Sequence, residues 1–168
     1  FDAAQGKGRR RWLTNAQCQF SYRESIFKRK PYLVLCVQFR FTKRDSPAML
    51  QKISRSIVTL RERKYRPGLR CPGSFFKNVL VKDVSRSALR RIDPEKIIEG
   101  KIPTGYLLER IGAKGLRVGG IEIADFHGNL FVNRGRGTAA HVQRLASILK
   151  KRVYKKFRIP LEEEVRYF

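Results

Sequence analysis

Helix-like and strand-like stretches follow one another along this chain of 168 residues without a regular strand–helix–strand alternation, and that irregular order constrains the fold more than any single motif. It predicts the α+β class, since a parallel sheet needs a crossover at every step. Residues 32–41, YLVLCVQFRF, are aromatic and β-branched enough to read as a strand, with a continuous apolar start that suggests burial. The polar stretch TKRDSP then breaks the pattern, and a domain boundary is expected near residue 44. Ser46 as N-cap and Pro47 at the first helical position open a helix with Leu50, Ile53, Ile57 and Leu60 on one stripe. Between 79 and 103 the pattern is weak, and IDPEKIIEGKIP reads as a short helix or turn. TGYLLERIG predicts a short helix with Thr104 as N-cap and Gly112 as its stop. Two strands, 116–123 and 129–133, are expected next, separated by a turn at His127-Gly128. Thr138 caps a final helix with Val142, Leu145, Leu149 and Val153 on one side, and RIPLEEEVRYF closes as a strand.

Charge is the other strong feature. The 38 Lys and Arg against 14 Asp and Glu leave +24, a field that attracts any polyanion, nucleic acid included. No zinc-finger, RRM or basic-region signature accompanies it, so a nucleic-acid-binding module rests on net charge alone. No run of about 18 apolar residues predicts a transmembrane helix, and the basic start KGRRRW has no apolar stretch behind it, so a cytoplasmic protein is expected. Cys18, Cys36 and Cys71 are odd in number and far apart; they suit neither a disulfide framework nor a zinc site, and read as free thiols, with no metal expected.

The chemistry-bearing stretch is LRCPGSFFKN, residues 69–78. Proline fixes φ and glycine permits a positive φ, so Pro72-Gly73 makes a tight turn that holds Ser74 in one place, where its hydroxyl is either structural or chemical. A Ser-His-Asp triad has little support, because His127 and His141 are the only histidines and no nucleophile elbow surrounds Ser74. His127 sits at a turn as a plain turn residue or a donor to an anion; His141, early in the last helix, reads as solvated. Glu162, Glu163 and Glu164 form the only acidic cluster, which from the residues alone reads first as a solvated charge run. On a strand, Glu162 and Glu164 share one face and Glu163 takes the other, so at most one face enters a site. Gly119-Gly120 and Gly135-Arg136-Gly137 complete neither a P-loop nor a dinucleotide fingerprint.

CQFSYRESIFK, KYRPGLRCPGSFFKN, IPTGYLLERIGAKGLRVGG, HGNLFVN and KKFRIPLEEEVRYF occur in one order that resembles the UDP-N-acetylenolpyruvoylglucosamine reductases, also called UDP-N-acetylmuramate dehydrogenases. The resemblance implies a flavoenzyme in which FAD, reduced by NADPH, passes hydride to the enolpyruvyl group of UDP-N-acetylglucosamine enolpyruvate in cell-wall precursor synthesis. It implies Ser74 as the proton donor and Glu164 as the catalytic glutamate, with Lys64, Asn78 and His127 holding the substrate. An enolate-like intermediate needs charge stabilisation and then a proton, which fits those residue types. Tyr22 and Arg23 match a family motif without an assigned role. The resemblance also implies that 1–43 are the end of a FAD-binding domain and 44–168 a mixed α/β substrate-binding domain. The upstream flavin region and its catalytic arginine have no counterpart in this sequence, so a folded piece without activity of its own is the companion reading. The short connection after FRFTK and the step from Lys64 to Ser74 resemble the branch that lacks an inserted substrate-covering tyrosine, and Arg66 replaces an expected proline.

Overall fold

A computed structural model describes residues 10–42, 44–65 and 68–167. Arg66, where a proline was expected, lies outside the described residues. Backbone contacts divide the chain into two compact units, Phe1–Tyr65 and Arg66–Phe168. The division falls one helix later than the polar break at 44.

The first unit holds a short helix α1 (Ile26–Arg29) and a long helix α2 (Pro47–Lys64). The Ser46 hydroxyl accepts from the Met49 amide at 3.2 Å, and Pro47 supplies the preset φ of the first turn, so α2 starts where the sequence predicts. Its apolar stripe is present but stays in solvent: Leu50, Ile53, Ile57 and Leu60 are all exposed. Residues 32–41 do not form the expected strand. They run without regular structure, and Leu33, Leu35, Phe39 and Phe41 are exposed. A β-favouring pattern becomes a strand only when a second strand takes up its backbone groups, and no described residue pairs with this one. In the Tyr22-Arg23 motif, the guanidinium of Arg23 lies 5.7 Å from the Tyr22 ring centroid.

The second unit contains the core and two small antiparallel sheets. One pairs β1 (Val79–Leu80) with β2 (Lys101–Ile102); the other runs β3 (Arg117–Val118), β4 (Ile121–Ile123) and β5 (Phe131–Asn133). The expected single strand over 116–123 is therefore a hairpin, because Gly119-Gly120 reverse the chain between β3 and β4. A Cβ at Gly120 would lie 2.4 Å from the Gly137 amide nitrogen, so only glycine lets the loop before the last helix pack on that reversal. The weak 79–103 segment contains a four-residue helix α3 (Arg86–Leu89) and a 3-10 turn at Pro94–Lys96, capped by Asp93 accepting from the Glu95 amide. Helix α4 (Thr104–Arg110) ends before Gly112 as expected, but its N-cap is Pro103 and Thr104 is the first helical residue.

Helix α5 (Ala139–Phe157) buries Leu145, Ala146, Leu149, Val153 and Phe157 against the three-stranded sheet and α4. Thr138 caps it as predicted. His141, expected to be solvated, is half-buried instead, because it closes the capping box by accepting from the Thr138 amide through Nδ1. The segment after α5 is extended but forms no strand. Ile159 and Leu161 drop into the core, and a single bridge joins Glu163 to Phe76; the partner segment turns into β1 too soon for a longer ladder. Small antiparallel sheets with helices packed against them make the unit α+β, as the order of elements predicts. No described helix is long and apolar enough to cross a membrane. Cys18, Cys36 and Cys71 are free thiols, and no cluster of metal-ligating side chains occurs among the described residues.

Candidate active site

Pro72 and Gly73 turn the chain as expected, with Gly73 at φ +85°, a conformation costly for any residue carrying a Cβ. The two residues after Ser74 anchor the turn. Phe75 and Phe76 are each 1% exposed, and Phe75 stacks on Phe131 with ring centroids 3.8 Å apart while Phe76 meets Phe75 edge-on at 4.9 Å. Ser74 thus projects from the last exposed position before the chain dives into the core. No described residue bonds its hydroxyl.

Two segments hold this turn from either side. On one side Ser74 bridges to Leu130, and the Phe75 amide donates to the Asn129 carbonyl at 3.0 Å. The Asn129 side chain, 2% exposed, accepts from the Phe76 amide through Oδ1 and donates to the Phe76 carbonyl through Nδ2, both at 2.9 Å. It thereby replaces one rung of a sheet. On the other side the Lys77 amide donates to the Glu162 carbonyl at 2.9 Å, and the Glu164 amide donates to the Phe75 carbonyl at 2.8 Å. Glu164 is therefore fixed by its backbone to the residue next to Ser74.

The three glutamates differ in what they touch. Glu162 pairs with the nearly buried Lys77 ammonium, and Glu163 reaches Lys150 at 2.6 Å. The faces follow the alternation read from the sequence: Glu163 continues the inward row of Ile159 and Leu161, while Glu162 faces out. Glu164, half-buried, shares the Glu162 parity. Tyr167 is 41% exposed, yet beside the Glu163 carboxylate its hydroxyl is held above the usual phenol range, first by partial desolvation and then by its hydrogen bond to Glu163 and that group's negative charge.

Asn78 and His127 sit on the flanks of the turn. The Asn78 Oδ1 accepts from the Thr104 amide at 3.1 Å, and the Thr104 hydroxyl donates to the Lys77 carbonyl. Asn78 therefore caps the N-terminus of α4 and ties it to the segment that carries Ser74. His127 Nδ1 accepts from the Asn129 amide at 3.1 Å, and its ring lies against Gly105, where an added Cβ would be 3.2 Å from Cε1. Ser74, Asn78, His127 and Glu164 are in this way linked through the Phe75–Lys77 backbone and Asn129. Lys64 is the last residue of α2 in the other unit, and its side chain lies outside the described residues. An open cleft of about 260 Å³ in the same unit is lined by Leu69, Arg70, Val132, Asn133 and Arg134.

Asn129 is the residue that sequence reasoning missed. The signal available was its place in HGN immediately before an apolar run, which reads as an ordinary turn; nothing local says that its amide is buried 53 residues from its partner.

Comparison with known proteins bears on the same stretch. Residues 65–168 match the model of the UDP-N-acetylenolpyruvoylglucosamine reductase C-terminal domain. The chain is 39% identical to the UDP-N-acetylenolpyruvoylglucosamine reductase of Solibacter usitatus over 158 residues, covering 94% of this chain and 50% of that protein. It is 34% identical to the Moorella thermoacetica reductase, covering 94% of this chain and 45% of that one. A crystal structure of the Thermus caldophilus reductase aligns with TM-score 0.48 and 27% identity, over 73% of this chain and 36% of that one. The chain spans about half the length of the curated relatives it matches. The matched domain takes in the whole second unit, with its Ser74 turn, its Asn129 clamp and its closing glutamates, and this chain belongs to the UDP-N-acetylenolpyruvoylglucosamine reductase family.

Proposed function

We propose that this chain is the substrate-holding and proton-delivering half of a reductase that converts UDP-N-acetylglucosamine enolpyruvate to UDP-N-acetylmuramate. The observation that carries the reading is the exposed Ser74 hydroxyl, on a turn anchored by two buried phenylalanines and clamped by Asn129 and the Glu162–Glu164 backbone. An alcohol of ordinary pKa is a poor acid, so it protonates only a reactive carbon held within hydrogen-bond reach. A turn that cannot drift is the structural counterpart of that requirement. In the proton transfer the Ser74 O–H bond breaks, its proton goes to the carbon next to the substrate carboxylate, and negative charge is left on the serine oxygen. Glu164, tied by its amide to Phe75, is the electrostatic or acid partner of that step.

Asn78, His127 and Lys64 are assigned to substrate binding. The first two are polar groups set by α4 and by Asn129 on the flanks of the turn, and a cation such as Lys64 suits a diphosphate. By the same reading, residues 1–43 are the end of a flavin-binding domain and 44–168 the substrate-binding part. The described clefts do not fit a flavin. Both are open, and Leu69 and Val132 in one and Ile111 in the other are their only apolar lining residues, too few to enclose a planar aromatic cofactor. FAD and the NADPH that reduces it are accordingly assigned to the half of the family proteins that this chain does not span, in a cytoplasmic enzyme.

The test joins this chain to the flavin-binding half of the Solibacter usitatus relative. Ser74→Ala is expected to leave NADPH oxidation by the flavin intact and to abolish turnover of the enolpyruvyl sugar. Full turnover by that variant would remove Ser74 from the chemistry. Calorimetric titration of the chain with the enolpyruvyl UDP-sugar, before and after Lys64→Ala, tests the binding assignment separately.

A further inference from the structure

A second basic feature lies away from the Ser74 turn. The C-terminal ends of α4 and α5 border an open groove of about 560 Å³ lined by Arg110, Ile111, Arg152, Lys155 and Lys156. Its walls are tied together through backbone oxygens. Lys156 Nζ donates to the Arg110 carbonyl at 2.6 Å, and Arg91 donates through Nη1 to the Lys156 carbonyl at 3.0 Å. Three segments distant in sequence are thus pinned beside one open basic surface.

Cations near helix C-termini are ordinary, because each helix end carries up to about −0.5 of an elementary charge. Here they exceed that demand. Four cationic side chains line the groove, so after two helix ends are offset roughly +3 remains. The carboxylates do not supply the balance: Glu109 goes to Lys114 and Glu163 to Lys150. No described carboxylate pairs with Arg110, Arg152 or Lys155.

The geometry points to this groove as a binding site for the phosphodiester backbone of a nucleic-acid strand. A compact phosphorylated metabolite is sequestered in an enclosed pocket, whereas a polymer needs an open track of cations that follows its phosphates. The groove is open and lined by four cations, which meets the electrostatic part of that requirement. A membrane surface calls for apolar side chains that enter the lipid between the cations, and Ile111, half-buried, is the only apolar residue lining this one. The site is independent of the reductase reading, since none of its residues belongs to the Ser74 turn.

The test is fluorescence anisotropy of the full chain with a labelled single-stranded RNA 20-mer and the DNA strand of the same sequence, across a salt series. Each neutralised phosphate of a single strand contributes about 0.7 to the log–log salt slope, so four groove cations predict a slope near −3. The Arg152→Ala/Lys155→Ala pair should make the slope shallower by about 1.4 and weaken binding about 25-fold at 0.1 M salt. The Lys52→Ala/Arg55→Ala pair on α2 removes the same charge elsewhere and should change affinity several-fold less. Equal losses in the two pairs would reduce the effect to net charge and overturn the site, as would failure of the unmodified chain to bind either strand. Groove-dependent binding to vesicles containing anionic lipid, without groove-dependent binding to RNA or DNA, would overturn it in favour of a lipid surface. RNA binding tighter than DNA, or the reverse, identifies which strand the groove takes, and either result supports it.

Discussion

Asn129→Asp is close to isosteric and changes one thing: the group facing the Phe76 carbonyl. In the native chain the amide satisfies both backbone groups of Phe76 at 2.9 Å from a side chain that is 2% exposed. An aspartate still accepts from the Phe76 amide, but when ionised it sets a negative oxygen against the Phe76 carbonyl and leaves that acceptor unpaired. Leaving a buried group unsatisfied costs about 1–3 kcal/mol, and burying an unpaired charge adds to it. A protonated carboxyl, which donates, would restore the bond. The folded-state pKa of this aspartate therefore lies above its unfolded value of about 3.9. A group with a raised folded pKa contributes stability that is complete below the unfolded pKa and is lost as pH rises through the folded one. Thermal unfolding followed by circular dichroism at pH 4 and pH 7 tests this. Relative to the unmodified chain at each pH, the variant is expected to lose at pH 7 about 2–4 kcal/mol more than at pH 4, roughly 10–20 °C in Tm for a domain near 100 residues. Asn129→Ala, which drops both bonds, should cost about 2–5 kcal/mol at either pH. Equal Tm losses for Asn129→Asp at the two pH values would refute the assignment of that side chain as a two-way clamp on Phe76.

Other changes read out neighbouring parts of the same unit. Phe131→Ala removes the ring stacked on Phe75 and should cost about 3–5 kcal/mol in denaturant unfolding. Gly120→Ala forces a Cβ to 2.4 Å from the Gly137 amide nitrogen, so backbone must shift; a loss of about 1–3 kcal/mol is expected, and a neutral result would place the hairpin elsewhere. Thr138→Ala breaks the capping box of α5 and should cost about 1 kcal/mol. In ultraviolet titration, Tyr167 is expected to ionise above pH 10, its ordinary value being 10.0, and Glu163→Gln should lower that point. Because the folded value is raised, the contribution of Tyr167 to stability is whole below about pH 10 and declines above it.

Much of the local structure is legible without coordinates, since it depends on neighbours in the chain. Ser46-Pro47 and Thr138 start helices because a cap and its amide lie within three residues. Pro72-Gly73 turns because proline and glycine set their own φ. The motifs ending in Gly-Ser-Phe-Phe-Lys-Asn and Leu-Glu-Glu-Glu-Val carry the family in their order alone. Local pattern misleads where the outcome needs a partner. YLVLCVQFRF has strand-forming residues and no described strand beside it, and the closing segment pairs by one bridge only. The 116–123 stretch reads as one strand until the antiparallel pairing of β3 with β4 shows a reversal at Gly119-Gly120.

What the amino-acid sequence determined by itself is the α+β class, the starts of α2 and α5, the Ser74 turn and the family. Tertiary structure alone decided that Asn129 substitutes for a sheet rung beside Ser74, that Asn78 caps α4, and that Glu162 and Glu163 answer Lys77 and Lys150 while Glu164 is tied to Phe75. The physical reason is range. Caps and turns are settled by dihedral preferences and hydrogen bonds a few residues apart, whereas a buried amide, a charge pair or a groove depends on which distant segments burial of the apolar core brings together.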